Sequence, residues 1–575
     1  MTLKTLKVLP RSLLSGCAFS NVPCFGLAAL SAAPLLVAAT AWGASPGVRS
    51  QALVRTGQAT GIADVTFLAP YDPRVLSDGR LTFWSRLAGT GVTAANNDSL
   101  WLLPAEPGSP PGLIQREGGT VTGQAGVFSG LSPGAASLVN GQARVIYASA
   151  INNLASPTLP TSLGLFDIAG TALDRDEVGR VQIPALPHLD PQGQSTWVQG
   201  NWRSGVGTTM EDLGGIVADQ SMTVPGAGGA DLPAEARFRT FSQPEPSEAS
   251  DLAFRAEAGV SATDASDWKA GIWTTLGGPL SLVALEGREV PGTSPAQTWV
   301  DFGDEVQISN GRIAFWGRFS GGAEPGLDTG IFASTPDGIV AVALAGDPIP
   351  GNSNEFFASF SRRFDLAPDG GVALLARLLE SPSAANSAIF VVRGGDDGRE
   401  IVREGDVLPG GTSGERLFLL QPPRLGPTGQ AAFKAMLRGP DVTPATASVL
   451  LATNPVGELV QVVRSGDVVT LAPGVSKTVR SIFFDSDAQD AGWSQMDAAN
   501  AVYYTLDFTD NTKALMRSLV ACVADFDTSG TVDLFDYLDF AAAFAAEESS
   551  ADIDQNGQVD LFDYLEFAAS FGSGC

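Results

Sequence analysis

The sequence predicts a mainly β protein, in which an eight-unit, propeller-like repeat body is followed by a small α-helical module. Of the 575 residues, 44% are hydrophobic and only 17% are charged, which is enough apolar material for a large core. The 66 Gly and 37 Pro favour short strands joined by tight turns over long helices. Two internal repeats then divide the chain into a long body and a short acidic C-terminal segment.

A repeat of 59 residues runs through the body. Gly311, Gly370 and Gly429 each open a phrase of the form Gly-x-x-Ala followed by a large apolar residue, and successive copies lie 59 residues apart. Weaker copies bring the count to eight, and they begin at Gly79, Gly141, Gly193, Ser250 and Asn500. Fixed periods of this size indicate repeated supersecondary units that share a core.

Each unit is predicted to contain four short antiparallel strands. In the unit that begins at Gly370, the later strands are expected at 388–392, 400–403 and 417–420. The body, 50–519, is expected to close on itself, with two strands from each end of the body completing one unit and leaving no free edge. The N-terminal pair is predicted at 52–55 and 65–68, and the C-terminal pair at 502–508 and 514–519. An open β-solenoid or two separate β-sandwiches are the alternatives.

The Gly-x-x-Ala-Phe phrase resembles the NxxGxxAF tandem repeat of choice-of-anchor exported bacterial proteins. The leading Asn of that motif is replaced here by Ile308, Ala367 and Gly426. The resemblance implies that a C-terminal anchor is fused to a shared repeat, and it implies no chemistry for the body.

The N-terminus has the layout of a cleaved secretory signal over residues 1–43. Lys4, Lys7 and Arg11 precede an apolar run at 25–39, and small residues follow around Ala41. No later stretch is apolar enough to span a membrane, so we expect a secreted or cell-surface chain without a membrane span after cleavage. The net charge of −27 argues against nucleic acid as a partner, because binding phosphates requires clustered Lys and Arg.

The acidic C-terminal segment contains two twelve-residue loops, 525–536 and 552–563, that repeat 27 residues apart. Oxygen-bearing side chains alternate along each loop and a Gly stands at position 6, as expected of a calcium loop. Positions 7 are expected to bind through the backbone carbonyl, and positions 9 through a water. The alternative is a pair of solvated acidic turns. Two Ca²⁺ ions are predicted, with ligands at Asp525, Asp527, Ser529, Thr531, Asp533, Asp536, Asp552, Asp554, Asn556, Gln558, Asp560 and Asp563.

Each loop is followed by apolar residues at helical spacing, so each unit reads as a loop and one helix. The segment from Cys522 holds twelve Asp and Glu and no Lys or Arg. Calcium is therefore expected to be required for folding. Cys522 and Cys575 bracket the segment and are predicted to form a disulfide in an exported protein, the alternative being two free thiols.

The duplicated loop-helix unit over 522–575 resembles a type I dockerin, and its Gly-Ser-Gly-Cys ending resembles the GC-type dockerin of exported planctomycete proteins. The resemblance implies calcium-dependent attachment to a cohesin-like receptor or another cell-surface or matrix protein. It also implies that loop positions 10 and 11 contact the receptor. These positions hold Leu534, Phe535, Leu561 and Phe562, and their apolar character fits either a core or a partner surface.

The body offers few candidates for chemistry. His188 is the sole histidine and has no metal-ligand neighbours in sequence. Gly130–Gly134 matches a nucleophile elbow, but Pro133 lacks the N–H that an oxyanion needs. Asp347, Asp406 and Asp467 recur after a Gly, which favours a turn-capping role over catalysis or ligand binding.

These observations predict a non-enzymatic exported protein, attached through its C-terminal module, whose body binds a polysaccharide or a protein. The alternative is a carbohydrate-active enzyme with a propeller body, tethered by the same module.

Overall fold

The computed structural model describes residues 48–573 with internal gaps. The gaps are 77–78, 106–108, 121–125, 133–135, 140–141, 146, 154–161, 167–171, 176–187, 190–194, 202–205, 213–214, 230, 243–244, 247–250, 294–295, 321–325, 336–337, 380, 382–384, 394–397, 410–413, 456, 473, 485–494, 498, 521, 528–531 and 554–557. The predicted signal segment lies outside the described residues. No helix in the described part is long and apolar enough to cross a membrane.

The first half of the body holds strands β1 to β20. In chain order they are β1 (Val48–Arg55), β2 (Val65–Val75), β3 (Leu81–Gly89), β4 (Asp98–Leu103), β5 (Gly112–Arg116), β6 (Gly126–Ser132), β7 (Ala136–Val139), β8 (Gln142–Val145), β9 (Tyr147–Asn153), β10 (Ser162–Phe166), β11 (Ala172–Arg175), β12 (His188–Leu189), β13 (Ser195–Asn201), β14 (Val206–Asp212), β15 (Gly215–Asp219), β16 (Arg237–Phe241), β17 (Glu245–Pro246), β18 (Leu252–Gly259), β19 (Lys269–Thr274) and β20 (Ser281–Leu285).

The second half holds the remaining strands and the C-terminal helices. The strands are β21 (Thr298–Ser309), β22 (Arg312–Ser320), β23 (Thr329–Thr335), β24 (Gly338–Leu344), β25 (Pro348–Ile349), β26 (Asn352–Leu366), β27 (Val372–Leu379), β28 (Ser387–Val392), β29 (Gly398–Arg403), β30 (Arg416–Leu420), β31 (Arg424–Leu425), β32 (Ala431–Arg438), β33 (Ser448–Thr453), β34 (Leu459–Arg464), β35 (Val468–Ala472), β36 (Val475–Phe483), β37 (Ala501–Phe508) and β38 (Lys513–Val520). Helices α1 (Leu534–Ala545) and α2 (Leu561–Ser573) follow, and short 3₁₀ turns lie at Ala265–Asp267 and Ser549–Ala551.

In the described part of the chain, the strands form eight antiparallel sheets of four or five strands and one separate hairpin, β7–β8. The mainly β prediction is confirmed, and the two longer helices lie at the C-terminus as expected. Sequential strands pair within each sheet, in the orders β2-β3-β4-β5, β6-β9-β10-β11, β12-β13-β14-β15, β16-β18-β19-β20, β21-β22-β23-β24, β25-β26-β27-β28-β29, β30-β32-β33-β34 and β1-β38-β37-β36-β35.

The predicted period is matched by the sheets, but the predicted phase is wrong. Residues 417–420, expected to be the fourth strand of one unit, lie in β30 and pair with β32 of the following sheet. Gly79 and Gly311 therefore sit in the turns between the first and second strands of their sheets, and Gly370 and Gly429 sit in the turns before β27 and β32. Asn310 and Gly311 form such a two-residue turn with φ of 45° and 73°, which Asn and Gly tolerate best.

Closure of the two ends also differs from the prediction. A single N-terminal strand, β1, pairs with β38 from Val48↔Val520 to Arg55↔Ala514. The second predicted N-terminal strand, 65–68, belongs to β2 and pairs with β3 instead. The last sheet thus takes one strand from the start of the body and four from its end. The physical reason is the same phase error, because a sheet begins with the strand before the Gly turn and not with the strand after it.

The large apolar residue that ends the repeated phrase packs against aromatic rings of neighbouring strands. Phe315 is fully buried and stacks on Phe332 of the third strand with ring centroids 5.8 Å apart. Phe332 in turn meets Trp299 of the first strand edge-to-face at 4.4 Å. The same trio recurs in the sheets β2–β5 and β16–β20, through Phe83, Trp101, Phe67 and Phe254, Trp273, Phe238. Offset and edge-to-face aromatic contacts of this kind stabilise beyond their area.

Candidate functional site

The C-terminal module consists of the two predicted loops, each leading into a helix. Asp533 is the N-cap of α1, and its side chain accepts a hydrogen bond from Phe535 N at 2.7 Å. Asp560 makes the equivalent bond to Phe562 N at 2.8 Å. Asp at an N-cap satisfies an orphan N–H of the first turn. Loop position 9 therefore acts in both loops as the start signal of the helix.

The last residue of each loop closes it. Asp536 is fully buried, and its two carboxylate oxygens accept hydrogen bonds from Asp527 N at 3.0 Å and Asp533 N at 2.8 Å. Asp563 is equally buried and accepts from Ile553 N at 2.6 Å and Asp560 N at 2.7 Å. The carboxylate thus ties the two arms of each loop together, which gives a physical reason for Asp where an EF-hand has the longer Glu.

A compact set of carboxylates lies in the first loop. One oxygen from each of Asp525, Asp527 and Asp536 falls within 4.8 Å of the other two. The Oδ1 atoms of Asp525 and Asp552, which hold position 1 of the two loops, are both buried from solvent. Converging hard oxygen donors are the set that Ca²⁺ prefers, so these residues fit the predicted ion. Within the cluster, Asp536 is buried and Asp527 is exposed to solvent.

Several predicted ligands cannot be placed against this geometry. Ser529, Thr531, Asp554 and Asn556 lie outside the described residues, and Gln558 is exposed. Cys522 is buried and disulfide-bonded. Cys575 lies outside the described residues, so the Cys522–Cys575 pairing stays a prediction.

The two helices pack through residues that occupy equivalent places in the repeat. Phe540 and Phe567 stack with ring centroids 3.9 Å apart and planes 9° from parallel. The hydroxyls of Tyr537 and Tyr564, also equivalent, are 3.1 Å apart and share a hydrogen bond. Contacts between like positions mean that the module has a local pseudo-two-fold axis between its helices. Its core is small and aromatic, as the sequence predicts.

Loop positions 10 and 11 lie outside that core. Leu534, Phe535, Leu561 and Phe562 are 65%, 66%, 65% and 68% exposed, so the interpretation of these apolar residues as core is wrong. Leu538 and Leu565, one turn further along each helix, are also about half exposed. The pseudo-two-fold axis therefore relates two matching apolar surfaces, one on each helix.

A body residue that belongs to no predicted site, Arg49, interacts electrostatically with the C-terminal module. Arg49 of β1 is partly buried, and burial lowers the pKa of its guanidinium below the ordinary value, while Asp552 and Glu566 oppose that shift. The module has no Lys or Arg of its own. The body thus supplies a cation beside position 1 of the second loop. The feature of the sequence that could have indicated this contact is a basic residue in β1, the strand that pairs with β38.

The recurring Asp residues of the body are turn residues. Asp406 and Asp467 each accept a hydrogen bond from a backbone N–H three residues earlier, Arg403 N at 2.8 Å and Arg464 N at 2.7 Å. Gln58 makes the same bond to Arg55 N at 3.2 Å. Burial raises the pKa of Asp347 and Asp406, and it raises the pKa of Asp467 to about 7. The turn-capping prediction agrees with these contacts.

The other body candidates take no part in a described site. Ser132 ends β6, and the Pro133 that follows lies outside the described residues. His188 begins the two-residue strand β12, paired with Thr196, and its side chain lies outside the described residues.

The profile of one protein family matches nearly the whole body, over residues 30–171 and 161–522. The chain belongs to the DUF7453 family. That family is described as one of unknown function, and the C-terminal loop-helix module after Cys522 lies beyond the match. No curated protein matches the sequence.

Solved structures that match the chain include the β-propeller domain of the Trilobed protease from Pyrococcus furiosus, at 8% identity and a TM-score of 0.29 over 70% of this chain and 100% of that one. Prolyl oligopeptidase B from Galerina marginata is 10% identical, with a TM-score of 0.35 over 77% of this chain and 56% of that one. The polysaccharide lyase Uly1 is 12% identical, with a TM-score of 0.32 over 70% and 93%.

This DUF7453 chain spans about half the length of the prolyl endopeptidases that it matches. The prediction that the body is non-enzymatic is corrected, because the solved structures that it resembles are peptidases and a lyase. Likeness at these TM-scores and identities assigns no particular activity to the chain.

Proposed function

We propose that this DUF7453 protein is exported and attached outside the cell by a calcium-loaded, dockerin-like C-terminal module, which presents an eight-unit propeller-like body. The observation that carries the proposal is the pairing, in each repeat, of a loop closed by a buried Asp with an exposed apolar helix start.

Calcium is supported by the donor geometry of the first loop. Asp525, Asp527 and Asp536 bring carboxylate oxygens together within 4.8 Å, and such like charges repel unless a cation lies among them. Position 12 is held rigidly by two backbone N–H groups in both loops. The ion would add folding free energy to a core that is otherwise small.

Attachment is supported by the apolar surface. Six large aliphatic or aromatic side chains, three on each helix, are at least half exposed: Leu534, Phe535, Leu538, Leu561, Phe562 and Leu565. Contiguous exposed apolar groups on a soluble domain mark interaction sites. Two matching surfaces related by the pseudo-two-fold axis would offer a cohesin-like receptor two equivalent orientations.

The propeller-like body is supported by sheet number and by closure. Eight sheets of four or five strands follow one another along the described chain, and β1 completes the last sheet by pairing with β38. Such pairing of the two ends leaves few free edges, which is how ring-like β-repeat proteins avoid edge-to-edge aggregation. The choice-of-anchor likeness of the repeat phrase agrees with this arrangement.

Calorimetric titration of the chelator-treated full chain with Ca²⁺ tests the metal. We expect two binding events in the natural protein and the loss of one in Asp536→Asn, because an amide brings a weaker, neutral oxygen to the site. Asp539→Asn, at an exposed position of α1, is the matched control and should keep both. Absence of calcium uptake by the natural protein would contradict the assignment.

Fractionation of the native host tests attachment. The natural protein should be recovered from the cell surface and released by chelator, whereas a Leu534→Asp, Leu561→Asp double variant should be found in the medium. Leu113→Asp, which places the same charge on an exposed body residue, should stay attached. Surface recovery of the double variant would reject the apolar surface as the contact.

A further inference from the structure

A cleft of about 620 Å³ lies between the sheet β25–β29 and the sheet β30–β34. This volume is within the range of roughly 300–1,000 Å³ that small-molecule sites occupy. One wall, from the first of these sheets, carries hydroxyl, amide and charged side chains, including Ser359, Ser361, Arg377, Asn386 and Glu404. The other wall carries Phe418, Leu419 and Arg438.

The apolar wall is made by a β-bulge. In β30 the register slips between Leu417 and Leu419, which oppose Leu437 and Met436, so one extra residue is inserted at Phe418. Phe418 and Leu419 are each 49% exposed, because a bulge turns neighbouring side chains toward the same side. The strand thereby presents a flat apolar platform to the cleft.

The same bulge recurs in equivalent strands of other sheets, but with other residues. Register slips of this kind insert Leu68 in β2, Val300 in β21 and Ala358 in β26. Among these equivalent bulged strands in the part of the chain that the structure describes, β30 alone inserts an aromatic residue. The inserted residue therefore varies between the repeats, and only the β30 copy carries an aromatic ring. A residue that differs in one repeat is expected of a ligand site, whereas a structural turn would keep the same residue in every repeat.

The charges of the cleft favour an anion. The Arg438 guanidinium lies 5.7 Å from the centre of the Phe418 ring, and Arg377 lines the opposite wall. Glu404 is the one acidic lining residue, and it hydrogen-bonds to Ser387. Burial raises the pKa of Glu404, and the two arginines oppose that shift. Two guanidinium groups and one carboxyl leave a net positive cleft in a chain whose net charge is −27.

We propose that this cleft binds a uronic-acid-containing polysaccharide. A guanidinium fork matches the two oxygens of a carboxylate, so Arg377 and Arg438 would hold the acid group. The apolar face of a sugar ring would lie on Phe418, since the C–H groups of the sugar meet the negative face of the aromatic ring. Ser359, Ser361 and Asn386 supply the neutral donors and acceptors that sugar hydroxyls require.

The proposal is independent of the calcium module, and calorimetry on the full chain with bound Ca²⁺ tests it. The probes are tetragalacturonate, the corresponding glucuronate oligomer, the methyl ester of tetragalacturonate and an acidic tetrapeptide. We expect an acidic oligosaccharide to bind and the ester to bind at least tenfold more weakly, because esterification removes the charge and keeps the ring. Binding of neither uronate, or equal binding of acid and ester, would overturn the proposal, as would preferential binding of the peptide.

Variants then locate the site. Phe418→Ala and Arg377→Gln should each weaken the bound uronate about tenfold or more, which equals about 1.4 kcal/mol. Phe483→Ala is the matched control: Phe483 is also half exposed and has Lys513 4.9 Å from its ring centre, but it does not line this cleft. Equal losses in Phe418→Ala and Phe483→Ala would place the uronate elsewhere. Arg438→Gln provides a second test if Arg377→Gln unfolds.

Discussion

Phe540 of α1 stacks on Phe567 of α2 with their ring centroids 3.9 Å apart, although the two residues occupy the same place in successive repeats. Each repeat unit alone would leave this ring in water. Both rings are fully buried only because the units face each other, which makes the pair the centre of the module's core. The duplication seen in the sequence is therefore a requirement of folding.

Phe540→Ala should unfold the module, because Phe→Ala in a core costs about 3–5 kcal/mol and this core is small. Hydrogen exchange of the α1 and α2 amides in the calcium-bound full chain measures the effect. Phe535→Ala removes the same ring from an exposed position five residues away and should leave exchange unchanged. Slow exchange retained in both variants would show that the stacked pair adds little.

Arg49→Ala should loosen the module from the body. Removing this cation takes away the positive charge that attracts Asp552 and Glu566, so we expect the contact between α2 and the body to weaken. Limited proteolysis near Val520 and exchange of the α2 amides report the change. The exposed Arg318 of β22 gives the control substitution. Equal behaviour of Arg49→Ala and Arg318→Ala would exclude a role for this contact.

The pH dependence of stability should carry a contribution from Asp467. Burial raises the pKa of this carboxyl to about 7 in the folded chain, from about 3.9 in an unfolded one. The folded state therefore holds the extra proton between these values. The contribution is fully present below about pH 4 and is lost as the pH rises through 7.

Asp467→Asn should remove that contribution, because the neutral amide oxygen can still accept the hydrogen bond from Arg464 N. The difference in unfolding free energy between Asp467→Asn and the natural protein should grow in favour of the variant from pH 5 to pH 8. Denaturant titrations at several pH values measure it, with Asp441→Asn, at an exposed turn, as control. A difference that stays constant with pH would show that Asp467 keeps an ordinary pKa.

The sequence contains enough to predict the repeat period and the two C-terminal loop-helix units, since both depend on residues at fixed spacing. Asp536 and Asp563 are found at position 12 because their carboxylates must reach back along the chain to their own loop. The phase of the body repeat was not predictable in this way. A strand such as β30 lies between β29 of one sheet and the Gly429 turn of the next. Its position in the repeat therefore fits either sheet, and only the pairing with β32 decides between them.

The pattern of apolar residues also did not predict which side chains of the C-terminal helices are exposed. Leu534 and Phe540 are both apolar and both at helical positions, yet one is exposed and the other buried. Which face of α1 is covered depends on where α2 packs, and that contact is non-local. The same holds for Arg49, whose neighbours Asp552 and Glu566 lie some 500 residues further along the chain.

Two glycines of the sheet β21–β24 should respond very differently to the same substitution. Gly317 lies in β22, where an added Cβ would fall 2.2 Å from Cζ3 of Trp299, a ring that is itself buried and packed against Phe332. Gly311 has a φ of +73° in the turn before β22, and an added Cβ there meets no atom within 4 Å.

Gly317→Ala must displace the Trp299 ring, so we expect a loss of about 3 kcal/mol in unfolding free energy, at the upper end of overpacking costs. Gly311→Ala should cost about 1 kcal/mol, from the positive φ alone. Thermal unfolding of the two variants ranks these costs, and a Gly311→Ala variant less stable than Gly317→Ala would mean that the turn, and not the aromatic trio, limits the stability of the repeat.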